Sequence, residues 1–304
     1  MRVSGAAAAG APAARPAPWP AQRRCRRRAA AACRAQPEPV CLGQLDSEHN
    51  EVVAVYEVPD TRHFPAEVRG ARVLLLDSSG NLHSVYRAGQ PLTGAYWDAL
   101  AVLPAWCPPG PLAVLGLGAG TVAHLVAALF PGRVTHGWEL DAAVVELAQQ
   151  HMGLAPLVRD GALVVHVGDA LDAAAASVGP AGAAGIVVDL FARAALIPQL
   201  TEADAWRGVR ARLAPGGRAI ANLGAAPDAA RAAGDPHAAT TRAALAAMAE
   251  AFEGQLNCCS MVTGHAANLV AVSGPPLTTD DLAAVPAPLQ AYARGWRPWA
   301  AAQW

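Results

Sequence analysis

The sequence predicts an α/β fold in which a small antiparallel β domain precedes a mostly parallel sheet that ends in an antiparallel hairpin. From residue 110 to residue 275, short apolar runs alternate with segments of helical periodicity, the pattern of a parallel sheet with crossover helices. Three of these runs lead into an acid, which is Glu139, Asp169 or Asp189. Residues 51–107 instead contain β-branched runs separated by turn residues, which favours antiparallel strands.

The composition allows a large core within a chain of 304 residues. Hydrophobic residues make up 53% of the chain, charged residues make up 15%, and the mean hydropathy is +0.23. A chain of this length and composition fits one main domain with appendages. Its expected parts are a targeting segment at residues 1–37, the small β domain at 51–107, the parallel-sheet domain at 110–275 and a tail at 276–304.

The first 37 residues differ in charge from the rest of the chain. They carry eight Arg and no acid, and they lack the continuous apolar run of a secretory signal. This composition is typical of an organelle transit peptide, although it does not separate the chloroplast from the mitochondrion. An RNA-binding arm around residues 23–28 is the alternative, but aromatic residues are not interleaved with the Arg cluster there.

The rest of the chain excludes several classes of partner. It has 24 acidic residues against 15 Arg and no Lys, so it lacks the basic footprint of a nucleic-acid-binding protein. Residues 111–130 are almost wholly apolar, but three glycines and His124 within them indicate a buried core rather than a membrane span. The six Cys include no C-x-x-C pair, so we expect no metal site, no disulfide framework and a reducing compartment.

A glycine turn lies at the centre of the predicted parallel sheet. The apolar run Leu112–Leu115 leads into it, and the segment Thr121–Phe130 that follows has the periodicity of a helix. Its glycines are Gly116, Gly118 and Gly120. Glycines let the backbone approach a ligand closely, and the helix presents unpaired N–H groups there. The next apolar run ends at Glu139, whose carboxylate can accept from both ribose hydroxyls, so the pattern predicts a nucleoside; a tight turn without a ligand is the alternative.

Two further acids lie at the ends of the next two predicted strands. Leu163–Val167 leads into Asp169 and Ala170, and Gly185–Val188 leads into Asp189. In open α/β sheets, ligands bind at the carboxyl ends of the strands, so we expect these acids to share one edge. Asp169 can accept from the exocyclic amine of adenine, or it can cap the turn that follows it.

The small β domain supplies a second group of polar side chains. Its strands are predicted at residues 51–58, 72–77 and 82–87, and a helix begins near Tyr96. Candidate substrate contacts in this region are His83, Gln90, Tyr96, Trp97 and Asp98. A turn cap or a surface contact is the alternative role for each of them.

The remaining pattern completes the sheet. Helices are predicted at residues 141–152, 202–213 and 240–252, a fifth strand at 218–223, and a hairpin at 255–261 and 268–272. The tail contains Trp296, Trp299 and Trp304, which we expect to cover the body of the protein or a second subunit of a homodimer.

The order of these motifs resembles the class I methyltransferase superfamily, and within it the spermidine synthases and spermidine-synthase-like proteins. The resemblance lies in the G-x-G-x-G turn, Glu139, Gly168-Asp169-Ala170, Asp189, the Pro215-Gly216-Gly217 turn and the final hairpin. Residues 76–86, 89–90 and 93–98 further resemble plastid-targeted, spermidine-synthase-like proteins of plants and algae. The resemblance covers about residues 50–275. It implies a Rossmann-like core behind the small β domain, and import into the chloroplast.

The resemblance assigns roles to the matching residues. Glu139 corresponds to the acid that binds ribose, and Asp169 corresponds to the acid that binds adenine. Asp189 corresponds to the catalytic proton acceptor, and Tyr96 corresponds to a tyrosine at the substrate. The implied ligand is S-adenosylmethionine or its decarboxylated form, with a small-molecule acceptor.

The amine-binding half departs from the family pattern. The family has an Asp at the positions of Ala119 and Ala192, and a Gln at the position of Trp97. A partly buried ammonium group needs a carboxylate partner, and without one it costs several kcal/mol. Because Asp189 alone remains of three acids, the sequence favours methyl transfer to a less charged acceptor over aminopropyl transfer.

Three alternatives remain open. The first is a polyamine aminopropyltransferase, the family's own activity. The second is a catalytically inactive nucleoside-binding or assembly protein, which the loss of acids at Ala119 and Ala192 favours. The third is an NAD-dependent oxidoreductase, but Thr121 stands where its third glycine or alanine is needed, and this reading does not explain Asp169.

Overall fold

The computed structural model describes residues 37–78, 80–172, 178–192, 195–225, 236–263 and 266–300. The expected targeting segment, apart from Pro37, lies outside these residues, as does Trp304 of the tail. Within the described part of the chain, no helix is long and apolar enough to cross a membrane.

Fourteen strands and seven α-helices are defined in the described residues. The strands are β1 (Val40–Leu45), β2 (Val53–Glu57), β3 (Arg72–Leu75), β4 (Ser84–Tyr86), β5 (Leu112–Leu115), β6 (Thr135–Glu139), β7 (Leu163–Val167), β8 (Ala183–Val188), β9 (Phe191–Ala192), β10 (Ala195–Leu196), β11 (Leu213–Ala225), β12 (Leu256–Thr263), β13 (Ala266–Ser273) and β14 (Arg297–Pro298). The helices are α1 (Tyr96–Leu100), α2 (Thr121–Leu129), α3 (Ala142–His151), α4 (Leu154–Arg159), α5 (Ala203–Ala211), α6 (Pro236–Ala251) and α7 (Thr279–Ala283).

The main sheet has eight strands in the order β14-β12-β13-β11-β8-β5-β6-β7. Five adjacent strands of this sheet pair in parallel, in the order β11-β8-β5-β6-β7. Strand β13 pairs with β11 in antiparallel fashion. The predicted fold class, a mostly parallel sheet closed by an antiparallel hairpin, is therefore confirmed. Because the chain proceeds from β5 to β6 on one side and later fills β8 on the other, the strand order reverses at β5, where open α/β sheets bind ligands.

Helices cover both faces of the main sheet. On one face, α1, α2 and α3 share a core that contains Leu100, Leu125 and Val144. On the other face, α5 and α6 pack through Trp206 and Met248. These side chains are almost fully buried, as a doubly covered parallel sheet requires.

The small sheet contains four antiparallel strands in the order β1-β2-β3-β4. The last three strands agree with the prediction that this unit starts at residue 51, whereas β1 was not predicted. Strand β1 pairs with β2 across a register shift between Cys41 and Gly43. A Cβ atom on Gly43 would lie 2.9 Å from His151 and Leu147 of α3, so this part of β1 needs glycine to pack. Such a contact between distant residues leaves no local periodicity to detect.

The C-terminal tail packs on the body of the same chain. Trp296 packs against Trp106 edge to face, with ring centroids 5.2 Å apart. The backbone N–H of Trp299 donates to the Leu256 carbonyl at 2.8 Å. Strand β14 adds itself to the edge of the main sheet beside β12. These contacts give two of the tail tryptophans a partner within the chain; a homodimer stays a prediction.

The small sheet and the glycine turn are joined at the start of α2. The Thr121 hydroxyl donates to the Val85 carbonyl at 3.1 Å and accepts from the Val85 N–H at 3.0 Å. The Ser84 hydroxyl accepts from the Ala119 N–H at 2.9 Å. Strand β4 thus supplies hydrogen-bond partners for polar groups at the start of α2, the helix that follows the glycine turn.

Thr121→Val is expected to lower the free energy of unfolding by about 2–4 kcal/mol, because it leaves both backbone groups of Val85 buried without a partner. Thr121→Ser keeps the hydroxyl and is expected to lose only about 1 kcal/mol for the missing methyl group. Urea unfolding of the two variants measures the difference. Equal losses in the two variants would contradict this role for the hydroxyl.

Candidate functional site

The glycine turn brings the ends of three strands together. The N–H groups of Gly116 and Leu117 donate to the Trp138 carbonyl at 3.1 Å and 2.8 Å, which ties β5 to β6. Gly116 has φ +86°, and a Cβ atom on it would lie 2.2 Å from the Asp189 carbonyl oxygen. Only glycine allows this approach, so β8 ends directly against the turn.

Glu139 is positioned by backbone N–H groups at the end of β6. Its Oε2 accepts from Gly118 at 2.9 Å, and its Oε1 accepts from Asp141 at 3.1 Å. A carboxylate offers about four lone-pair directions, so each oxygen can accept a further hydrogen bond. Burial raises the pKa of Glu139, and these N–H groups act in the opposite direction. The predicted ribose acid therefore lies beside the glycine turn with acceptor capacity left for a ligand.

Asp141 is held by residues of the small domain that the sequence did not single out. Ser47 and Asn50 both donate to Asp141 Oδ2, and the Asn50 distance is 2.7 Å. Asp141 Oδ1 caps α3 by accepting from the Ala143 N–H at 2.9 Å. Although burial acts to raise the pKa of Asp141, the hydrogen bonds from Ser47, Asn50 and Ala143 hold it below its ordinary value. The loop between β1 and β2 thus fixes the segment that follows Glu139.

Asp169 lies at the same edge, at the end of β7, but it is exposed. Its Oδ1 accepts from the Leu171 N–H at 2.8 Å, which is the turn cap that the sequence analysis gave as the alternative. Ala170 is buried, and its carbonyl accepts from Arg212 at 2.8 Å. The structure therefore places Asp169 at the carboxyl edge of the sheet with one of its two oxygens committed to the turn, and the contact with adenine stays a prediction.

Asp189 and Tyr96 form the centre of the second half of the site. The Tyr96 hydroxyl donates to Asp189 Oδ2 at 3.1 Å, so α1 of the small domain reaches the end of β8. Trp97 hydrogen-bonds to the same carboxylate, and its ring lies 4.4 Å from that of Tyr96 between centroids. The two predicted catalytic residues are thus in direct contact.

Two asparagines complete this half, and both were missed in the sequence. Asn222 on β11 donates from Nδ2 to Asp189 Oδ1 at 2.9 Å, and Asn268 on β13 donates to Asn222 Oδ1 at 3.1 Å. The detectable signal for Asn222 was a polar residue inside the apolar run of the fifth predicted strand. The signal for Asn268 was weaker because it lies at the start of its predicted strand.

The environment of Asp189 favours its neutral form more than water does. Burial raises the pKa of Asp189 from 3.8 to about 6, against the opposing hydrogen bonds from Asn222, Tyr96 and Trp97. Burial and the Asp189 charge also raise the pKa of Tyr96 well above its ordinary value. At neutral pH, Asp189 is therefore a carboxylate of increased basicity and Tyr96 is a neutral donor, an arrangement suited to general base catalysis.

The other substrate-side candidates differ in their surroundings. Asp98 is fully buried and accepts from Thr93 and from the Gly94 N–H at 2.7 Å, so it anchors the loop before α1. His83 Nε2 lies 3.5 Å from Asp77 Oδ2, and burial lowers the pKa of His83. Gln90 is exposed in the turn after β4. Of the set, Tyr96 and Trp97 reach Asp189, whereas Asp98 is committed to the fold.

The two positions where the family has acids are unlike each other. Ala119, in the glycine turn, is only 1% exposed and packs in the core beneath Ser84. Ala192, in β9, is exposed.

Glu139 and Asp189 end strands on opposite sides of β5, which separates them by two strand spacings, about 10 Å. Among the described residues, no group of three or more His, Cys, Asp or Glu side chains is arranged to hold a metal ion.

The stability difference between Asp189→Asn and the unsubstituted protein is expected to change in favour of Asp189→Asn as the pH rises from about 4 to about 7.5. The folded-state pKa of Asp189 lies above its unfolded value, so ionisation lowers the stability as the pH rises from about 4 to about 6, and the full cost remains above that range. Two pKa units correspond to at most about 3 kcal/mol. Urea unfolding at both pH values measures the change, with exposed Asp169→Asn as the control. A pH-independent effect of Asp189→Asn would contradict the raised pKa.

The fold was compared with known proteins. No protein-family model matches the chain, and no curated protein matches it by sequence. Among solved structures, a probable spermidine synthase from Corynebacterium glutamicum superimposes with a TM-score of 0.59 at 21% identity, over 83% of this chain and 94% of that one. Spermidine synthase from Thermotoga maritima gives a TM-score of 0.58 at 14% identity, over 80% and 75% of the chains.

A third structure, a spermidine synthase in complex with the transition-state analogue AdoDATO, gives a TM-score of 0.59 at 14% identity, over 80% of this chain and 76% of that one. Identities this low establish the fold and leave the reaction open. The superposed share includes most of both chains, so the likeness extends beyond the parallel sheet. The chain therefore shares the fold of these spermidine synthases.

Proposed function

We propose that this protein is a transferase that binds a sulfonium nucleoside, either S-adenosylmethionine or its decarboxylated form, at the shared edge of β5, β6 and β8. The observation that carries the proposal is the position of Glu139, held by the N–H groups of Gly118 in the glycine turn and of Asp141 at the start of α3, with acceptor capacity left on both oxygens. Asp169, at the next strand end, supplies a second polar contact on the adenine side. A sulfonium donor needs mainly alignment with its acceptor, and a base where the acceptor carries a proton.

Asp189 is the proposed base, with Tyr96 as its orienting donor. Methyl transfer is the favoured reaction because Ala119 and Ala192 replace the acids that would pair with the ammonium groups of polyamines. S-Adenosylmethionine carries its own carboxylate beside its ammonium group. It therefore needs fewer carboxylates from the protein than the decarboxylated donor does. The acceptor is proposed to be a small molecule.

Aminopropyl transfer to a polyamine is the second candidate. It is favoured by the direct contact between Tyr96 and Asp189 and by a fold match that spans most of a spermidine synthase chain. A catalytically inactive nucleoside-binding protein is the third candidate, and the two alanines favour it. Product analysis separates the three candidates because only the first two consume a donor.

The purified protein is expected to bind S-adenosylmethionine or S-adenosylhomocysteine at least as tightly as decarboxylated S-adenosylmethionine, and to form little or no spermidine from putrescine. Each unpaired ammonium group in a partly buried site costs several kcal/mol. Calorimetry with each nucleoside, and mass analysis of the products, provide the measurements. Spermidine formation at about 1 per second or faster, an ordinary enzyme rate, would establish the second candidate instead.

Glu139→Ala tests the nucleoside site in the same experiment. Loss of charge-assisted hydrogen bonds to ribose is expected to weaken nucleoside binding by about 1.5–3 kcal/mol. The matched control is Glu146→Ala, a carboxylate on the exposed side of α3. Unchanged nucleoside affinity in a folded Glu139→Ala protein would refute the assignment.

We also propose that the N-terminal segment directs the protein into the chloroplast and is removed near residue 37. The support is its charge: eight Arg and no acid, ahead of an acidic body. A fluorescent fusion of residues 1–60 is expected to enter the chloroplast, with residues 38–60 as the control fusion. Fluorescence that remains in the cytosol would contradict the proposal, and a mitochondrial signal would support the alternative.

A further inference from the structure

We propose that the Asp189 half of the site accepts a single cationic group, and that the acceptor is therefore a monoamine with an otherwise uncharged body. This inference rests on the proposed transferase function and names its acceptor class. It follows from the orientation of the groups around Asp189, from their charge and from the number of carboxylates available.

The orientation of Asn222 fixes Asp189 as a hydrogen-bond acceptor. Asn222 is only 2% exposed, and its Oδ1 accepts from both Asn268 Nδ2 and the Gly224 N–H at 3.1 Å. Its amide oxygen is thus turned away from Asp189, and its Nδ2 group donates to Asp189 Oδ1. Tyr96 donates to the other oxygen. A carboxyl group with a donor on each oxygen is best satisfied as the ionised carboxylate.

The groups around this carboxylate carry no compensating charge. Asn222, Tyr96 and Trp97 are neutral donors, and within the described ranges no Arg or His forms an ion pair with Asp189. A partly buried charge without a counter-charge is costly, and a cation that enters the site lowers that cost. The same carboxylate repels an anionic acceptor and offers a neutral alcohol only a hydrogen bond.

The number of carboxylates limits the acceptor to one ammonium group. Ala119 and Ala192 contribute no charge, and the carboxylate of Asp98 is fully buried among its own loop partners. Glu139 lies about 10 Å away across β5 and is held by the glycine turn. A diamine would therefore carry a second ammonium group that neither Ala119, Ala192 nor the buried Asp98 can pair with a free carboxylate. A monoamine has no such group.

The transfer step balances with these residues. Asp189 takes one proton from the ammonium group of the acceptor, which frees the lone pair on nitrogen. That lone pair attacks the methyl carbon of the sulfonium donor, so that a C–N bond forms while the C–S bond breaks and its electron pair passes to sulfur. The products are an N-methylated ammonium ion and a neutral thioether, and Asp189 releases its proton to water.

The test uses the full-length protein saturated with S-adenosylhomocysteine and titrated with small acceptors in a calorimeter. The probes are butylamine, hexylamine and 2-phenylethylamine, with 1,4-diaminobutane, 1,6-diaminohexane, butanol and butyrate as length-matched comparisons. At least one monoamine is expected to bind roughly tenfold or more tightly than its diamine, alcohol and carboxylate counterparts, a difference of about 1.4 kcal/mol. Methylation of the preferred monoamine from S-adenosylmethionine is detected by mass.

Asp189→Asn is expected to remove the preference for the monoamine while leaving S-adenosylhomocysteine affinity unchanged, because it removes the charge and keeps the shape. Preferred binding of a diamine, an alcohol or a carboxylate would overturn the inference, as would an equal preference in Asp189→Asn. Failure to bind any of the adenosyl nucleosides would instead overturn the proposed function, so the two failures are distinguishable.

Discussion

The close approach of Gly116 to the Asp189 carbonyl is the contact on which the rest of the site depends. A side chain on Gly116 would overlap that carbonyl, so the end of β8 could not remain beside the glycine turn. The Asp189 N–H also donates to the Leu115 carbonyl at 2.9 Å, which aligns the two strand ends. As a result, the acid of the nucleoside half and the acid of the reactive half lie on opposite sides of a single strand, at a separation set by sheet geometry.

The two halves of the site differ in how their acids are held. Backbone N–H groups hold Glu139, one from Gly118 in the glycine turn and one from Asp141 at the start of α3. Side-chain donors from α1 and β11 hold Asp189, and Asn268 on β13 donates in turn to Asn222 of β11. Both halves therefore need the small domain in place, because Ser47 and Asn50 bind Asp141 beside Glu139 and Tyr96 binds Asp189. The Asp189 half needs the C-terminal hairpin as well.

The sequence predicted the features that depend on local pattern. Strand and helix periodicity identified β5 to β8 together with α2 and α3, although not the short α4, and the acids at the strand ends identified Glu139 and Asp189. Features that depend on contacts between distant residues were not predictable. Asn222 and Asn268 are 46 residues apart and meet only because β11 and β13 are neighbours. Asp98 was a candidate substrate contact with a turn cap as the alternative, and its hydrogen bonds with Thr93 and Gly94 agree with the alternative.

The paired hydrogen bonds between Thr121 and Val85 have a consequence for cooperativity. They make β4 part of the support of the glycine turn, so the small sheet and the turn share one local unfolding equilibrium. A ligand that binds only the ordered turn must then also stabilise β4, and damage to the small sheet must lower ligand affinity by the same coupling free energy. The small β domain is thus thermodynamically linked to the glycine turn and to the proposed nucleoside site beside it.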